Sequence, residues 1–219
     1  MAAAATLLME EIVVPVGETD TDPETELVAR CRAGEASAYR EVYQLHRSAV
    51  YGVVARMISI EADREEVVQD AFLQIFKSLG NFRGTAKLST WAHRVAVNVT
   101  LQHIRRKGRR VKLHLREVVP EVSTASNGNA TDAESPEGEA MRHERQRAVQ
   151  RTLDTLAPKK RAALVLADFQ GKSSKEIAAI VGAPALTVRT RLFYARKEFY
   201  AQLAREPAFK DVDLKGGAK

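Results

Sequence analysis

The sequence holds a single cysteine, Cys31, among its 219 residues. That excludes an internal disulfide and any cysteine-rich zinc site. Aromatic residues make up only 6%, and turn signals do not recur at the short spacing of a β sandwich, so an all-β fold is not expected. No apolar run approaches the roughly 18 residues that span a bilayer. Residues 1–24 contain no lysine or arginine, and Glu10 and Glu11 interrupt their apolar stretch. A secretory signal needs the opposite pattern, so none is expected, nor is membrane insertion, and the expected location is cytoplasmic. Also missing are a phosphate-binding loop, a glycine-rich dinucleotide turn and any His/Asp/Glu metal cluster. Catalysis, cofactor and metal are therefore not expected. The five histidines, His46, His93, His103, His114 and His143, show no ligand spacing. His93 and His103 are expected as polar surface groups, and Cys31 and His46 as core.

What is present is charge, unevenly spread. The net charge is +6. Residues 1–24 carry −6, residues 81–110 carry +8 with no acid, residues 111–140 carry −4 and residues 141–205 carry +9. Two basic blocks separated by an acidic stretch are the electrostatic footprint of a polyanion binder.

Helical periodicity begins near Glu26 and sets the organisation. Spacings of three and four run through Leu27, Val28 and Cys31, then Val42, Val50, Val53, Val54 and Met57. Val67, Val68, Ala71, Phe72, Ile75, Phe76 and Leu79 form one wide apolar face, which Gly80 ends. A loop, Asn81-Phe82-Arg83-Gly84-Thr85, leads to a helix expected over about 87–107. Its stripe is Leu88, Trp91, Ala92, Val95 and Val99, and Thr90, Arg94, Asn98 and Gln102 lie opposite. Residues 116–140 have linker composition, rich in Ser, Asn, Gly and Pro. The expected fold is all-α: two small helical domains, 25–112 and 141–205, on a flexible acidic linker, 113–140. A disordered acidic lead, 1–24, and a tail, 206–219, flank them.

The second domain carries a helix-turn-helix pattern. Ser173 and Glu176 have the spacing of a capping box. Ile177, Ala178 and Val181 face inward on a short helix, Gly182 supplies the turn, and Pro184 restarts the chain as a helix. On that helix Val188, Leu192, Ala195 and Phe199 form the buried stripe. Thr187, Arg189, Thr190, Arg191, Tyr194, Arg196 and Lys197 lie on the other face. A helix fits the major groove, where arginine pairs bidentately with guanine. Arg189, Thr190 and Arg191 are the base-reading candidates. Arg196, Lys197, Lys172 and Lys175 are placed as phosphate contacts.

The two halves together resemble the bacterial sigma factors of the extracytoplasmic-function group, in the sigma-70 family. The run Asp63-Arg64-Glu65-Glu66-Val67-Val68-Gln69-Asp70-Ala71-Phe72 resembles that family's polymerase-docking helix. Phe82-Arg83-Gly84 and Leu88-Ser89-Thr90-Trp91 resemble its loop and promoter-melting helix. Phe169-Gln170-Gly171, Glu176-Ile177-Ala178 and Thr187-Val188-Arg189 resemble its second DNA-reading module. Leu186, Thr190, Tyr194, Val97, Gln102, Ala92 and His93 depart from the family pattern.

The resemblance implies a dissociable initiation subunit with three kinds of contact. Glu66, Gln69, Asp70 and Gln74 would meet core RNA polymerase, whose clamp helices and flap are the implied contact points. Asn81, Phe82, Arg83, Thr85, Lys87, Thr90, Arg94, Asn98, Arg105 and Arg106 would act at the −10 element. Lys172, Lys175, Thr187, Arg189, Thr190, Arg191, Tyr194, Arg196 and Lys197 would act at the −35 element. An anti-sigma partner is also implied. The chemistry agrees, because holding an unstacked strand needs a cationic track with polar and aromatic pockets, and the 81–85 loop supplies these groups. Trp91 lies on the apolar stripe and is assigned to the core. The rival class is a helix-turn-helix repressor or activator that binds DNA without polymerase. It would have no use for the first domain. RNA binding lacks an aromatic sheet motif.

Overall fold

A computed structural model describes residues 23–114, 136–210 and 212. Among them all regular structure is helical, as the periodicity predicts. Helices α1 (Pro23–Arg32), α2 (Ala36–Met57), α3 (Glu61–Ser78) and α4 (Leu88–His114) come from the first half. A short 3-10 turn, Leu79–Asn81, ends α3 at the expected Gly80. The long helices α2, α3 and α4 pack against one another around Val42, Val50, Val54, Val67, Ala71, Ile75, Leu88, Ala92 and Ala96. Cys31 and His46 belong to this core as expected.

The second half comprises α5 (Pro136–Thr155), α6 (Pro158–Leu164), α7 (Ser174–Val181) and α8 (Ala185–Leu203). A π turn, Val165–Phe169, prolongs α6. Pro158 occupies the first turn of α6, where its missing N–H costs nothing. The Ser173/Glu176 capping box forms with both reciprocal hydrogen bonds. Gly182 ends α7 at φ +63°, a left-handed conformation that a side chain would strain. The inward residues of α7 are Ile177 and Ile180. Ala178 and Val181, expected to face inward, are partly buried and pack against the same core.

Three boundaries differ from expectation. Glu24, placed in the acidic lead, lies in α1. Helix α4 continues to His114, and α5 begins at Pro136, inside the stretch read as linker. The rest of the lead and of the linker falls outside the described residues. The start of the tail folds back: Pro207–Phe209 is a 3-10 turn packed on α5, and Arg145 Nε donates to Ala208 O.

The two halves, each expected as a helical domain, also pack against each other. Val53 and Met57 of α2 and Val97 and Leu101 of α4 complete the apolar core formed by Leu153, Leu156, Leu164, Ile177, Ile180 and Val188. Helix α7 packs on α4, and α5 and α6 pack on α2.

Candidate nucleic-acid interface

The helix-turn-helix presents its outer face as the stripe requires. Val188, Leu192, Ala195 and Phe199 are buried, which turns Arg189, Thr190, Tyr194 and Lys197 to solvent. Thr187 and Arg191 are half-buried at the edge of this face, as is Lys172, while Lys175 is exposed. The Thr190 hydroxyl donates to Leu186 O at 3.0 Å within the helix. Tyr194 stands edge-on to Phe193, with ring centroids 5.4 Å apart. Two exposed apolar side chains, Leu186 (74%) and Phe193 (60%), lie on the same helix. The sequence reading gave neither a binding role, and their mismatch with the buried stripe was the available signal.

Arg196 is placed differently from its neighbours. Its Nε and Nη2 both donate to the Asp168 carboxylate, at 3.2 and 2.6 Å. That hydrogen-bonded pair raises the guanidinium pKa. In this geometry Arg196 buttresses α8 against the α6 extension, whereas Lys197 points outward.

On the first half, Asn81, Arg83, Thr85 and Lys87 line an exposed loop at the start of α4. Phe82 does not share that exposure. Its ring is 7% exposed and packs on Trp91 at 5.4 Å, while its carbonyl accepts from Arg32. The Phe82 side chain thus anchors the loop, and Trp91, partly buried against the same core, anchors it too. Arg94 and Asn98 are exposed, Thr90 is half-buried, and Arg105 and Arg106 are exposed further along α4.

Two histidines correct the sequence reading. His93 and His103, expected at the surface, are 4% and 9% exposed. The His93 Nδ1–H donates to Ser89 O at 2.6 Å. Burial pushes its pKa below the usual 6.5, and the Lys172 charge acts in the same direction. His103 lies 3.6 Å from Asp63, which also pairs with Lys107. Helix α4 is covered on two sides, by α2 and α3 and by the second half, so a single-stripe reading left these positions outside.

The expected polymerase-docking residues lie on α3. Glu66, Gln69 and Gln74 are exposed, and Asp70 is half-exposed, with its carboxylate 3.8 Å from Arg106. Beside them α2 and α3 leave a groove of about 440 Å³ lined by Tyr43, Val68, Gln69, Phe72, Leu73 and Phe76. Tyr43 and Leu73 are each more than 40% exposed there, an apolar floor that the polar assignment missed. The basic faces meet at the junction of α4 and α7. Glu176 is held below the usual carboxylate range first by the Ser173 hydrogen bonds and also by the charges of Lys172 and Lys87.

A basic helix-turn-helix joined to a second basic helix with a solvent-facing loop is the pattern of a DNA-binding protein. Comparison with known proteins gives the class. Residues 42–110 match the model of sigma-70 region 2, and residues 146–199 match sigma-70 region 4. The RNA polymerase sigma-H factor of Pseudomonas aeruginosa is 32% identical over 178 residues, 80% of this chain and 91% of that protein. The ECF RNA polymerase sigma-E factor of Escherichia coli is 32% identical over 171 residues, 78% of this chain and 89% of that protein. Among solved structures, the sigma factor RpoE of Bartonella quintana, in complex with the anti-sigma factor NepR, shares the fold. Its TM-score is 0.62 at 19% identity, covering 80% of this chain and 98% of that one.

The chain belongs to the sigma-70 family of RNA polymerase sigma factors, in the extracytoplasmic-function group. It is a transcription-initiation specificity factor, of a family not known as enzymes, and not a free-standing helix-turn-helix repressor or activator. Among the described residues no helix is long and apolar enough to cross a membrane.

Proposed function

We propose that this chain binds core RNA polymerase in the cytoplasm and directs it to promoters through two separate DNA surfaces. The first unit, residues 25–112, docks on the clamp through Glu66, Gln69, Asp70 and Gln74. It reads and opens the −10 element with the 81–87 loop and with Thr90, Arg94, Asn98, Arg105 and Arg106. The second unit, residues 141–205, reads the −35 element through Arg189, Thr190 and Arg191 and meets phosphates through Lys172, Lys175 and Lys197. Thr187 and Tyr194 complete that face.

The observation that carries the reading is the outward face of α8, basic and hydroxyl-bearing over a buried stripe, on a chain whose first half matches region 2. Arginine at the start of such a helix reaches guanine edges, and each bidentate pair discriminates by about 1–3 kcal/mol. The loop at the start of α4 is both cationic and open, as capture of an unstacked base requires. Two modest surfaces on one chain reinforce each other when promoter spacing lets both engage. An anti-sigma factor fits as a third partner, because the fold is shared with a sigma factor solved in such a complex.

Run-off transcription with purified core polymerase on a randomised promoter library tests the reading. Enrichment of templates with a paired −35 and −10 motif is the expected result. Tight binding to a palindrome, with no transcript from core polymerase, would overturn it.

A further inference from the structure

We propose that the cavity bordered by α2 and α5 is a binding site for a small organic phosphate of mononucleotide size, distinct from the residues assigned to DNA and polymerase.

The site begins with an imbalance of charge. The cavity has a volume of about 500 Å³, and six arginines line it: Arg56, Arg64, Arg142, Arg145, Arg147 and Arg151. Asp154 is the one acid among the lining residues. Its carboxylate is engaged elsewhere. Oδ1 accepts from Arg161 Nη1 at 2.8 Å and from Gln150 Nε2 at 3.3 Å, and Oδ2 accepts from Ser59. Glu144 and Glu206 answer Arg151, at 2.9 and 2.7 Å, and Arg147 lies 3.8 Å from Glu144.

Three of the other arginines donate to neutral groups only. Arg56 Nη1 donates to Gly52 O at 3.3 Å. Arg64 donates to Ile58 O and Ser59 O, at 2.7 and 2.8 Å. Arg145 Nε donates to Ala208 O at 3.3 Å. Among the described residues none of these three forms an ion pair. Arg56 is half-buried, and burial pushes its guanidinium pKa below the usual value, with no carboxylate acting against it. A charge taken out of water without a counter-charge is costly, so an anion in the cavity supplies what the chain does not.

The rest of the lining selects the kind of anion. A cavity of this size takes a small molecule and excludes a duplex. Arginine forks match phosphate oxygens bidentately. Beside the cations stand Tyr51, Ala55, Val149 and Phe169. Arg56 stacks over the Phe169 ring at 4.8 Å, and flat rings stack on guanidinium planes and on aromatic side chains. Inorganic phosphate alone would leave this apolar part unused. A phosphate that carries a flat ring, as in a nucleoside monophosphate, uses both parts.

Isothermal titration calorimetry of the full chain tests the site with AMP, GMP, inorganic phosphate and adenosine. AMP or GMP should bind at least tenfold more tightly than inorganic phosphate or adenosine. Arg56→Gln and Arg145→Gln should each weaken that binding at least tenfold. Arg145 is exposed, so its variant keeps the test open if loss of half-buried Arg56 unfolds the chain. An excess of short duplex DNA should leave nucleotide affinity within twofold, because the DNA faces lie elsewhere. The site would be overturned if neither nucleotide bound, or if inorganic phosphate or adenosine bound as tightly as the better nucleotide. Displacement of the nucleotide by duplex DNA, or unchanged affinity in folded Arg145→Gln, would overturn it as well. Run-off transcription reports on the sigma-factor reading independently of each of these results.

Discussion

Glu24 Oε2 accepts a hydrogen bond from the Leu88 amide at 2.8 Å, across 64 residues of chain. The first turn of α4 has no acidic residue of its own. A carboxylate from α1 thus satisfies an otherwise orphaned donor and favours the positive end of the helix. The same contact fixes where the 81–87 loop ends and the DNA-facing helix begins.

Glu24→Ala should therefore destabilise the fold by about 1 kcal/mol, the usual cost of losing a helix cap. Glu24→Gln, which keeps an acceptor without charge, should cost less. Urea midpoints of the three proteins measure the order. Equal midpoints would show that the contact does not stabilise α4.

Arg196 and Lys197 are adjacent basic residues on α8, and only their surroundings separate them. Arg196 is tied to Asp168, and Lys197 is exposed. Lys197→Ala should lower the slope of log DNA affinity against log salt by about 0.9, the signature of one lost phosphate contact. Arg196→Ala should leave that slope nearly unchanged and lower the unfolding midpoint, as should Asp168→Ala. Salt titrations on one −35 duplex, paired with urea melts, separate the two roles. A full phosphate-sized slope change in Arg196→Ala would return it to the DNA face.

Burial of His46 and His93 makes stability depend on pH. Burial is the main reason that both have pKa values below the usual 6.5. The groups facing His93 are Ser89 O, Gln170, Lys172 and Glu176, and His46 feels His93 and Glu24. With native values depressed, the unfolded chain binds more protons below pH 6.5. Stability is therefore full above 6.5, falls as pH drops through 6.5, and levels off below the native values. Each histidine contributes up to about 1.36 kcal/mol per pH unit inside that window. His93→Gln should flatten the fall in urea midpoint between pH 8 and pH 5.5. An unchanged pH slope would remove His93 from the account.

The helix-turn-helix was legible because its signals are local. The capping box, Gly182, Pro184 and the four-residue stripe of α8 all lie within one stretch of chain, and each has its own short-range physics. Helix α4 was harder. Trp91, Val95 and Val99 read as its stripe, yet Ala96, Val97, Leu101, His93 and His103 are the more buried. Two different neighbours cover this helix, and periodicity reports how much of a helix is apolar, not how many partners share it. Arg161 shows the same limit from the polar side. A charged residue reads as surface unless the carbonyl that it satisfies, here Met57 O from 104 positions away, is known. The joint core of Val53 and Met57 with Leu153 is equally non-local, so periodicity within each domain does not reveal it.

The groove between α2 and α3 extends the polymerase-docking prediction beyond its polar residues. Leu73 is 47% exposed and Tyr43 is 43% exposed, next to Gln69 and one turn from Asp70. Large apolar side chains left exposed beside charged ones are the pattern of an interface whose centre is apolar and whose rim is polar. Leu73→Asp removes little buried surface, so its effect on the unfolding midpoint should stay within about 0.5 kcal/mol, the usual range for surface changes. Its effect on core polymerase affinity should be at least tenfold, since a central apolar contact would become a buried charge. Asp70→Lys should also weaken polymerase binding. It would in addition repel Arg106, now 3.8 Å away, and so disturb the −10 side of α4. Leu73→Asp should not, because Leu73 carries no charge and faces the groove. Competition for core polymerase against a second sigma factor measures the first effect, and open-complex formation at saturating protein measures the second. If Leu73→Asp competed as well as the unaltered chain, the groove would be excluded from the docking surface and only the acid and amide residues of α3 would remain.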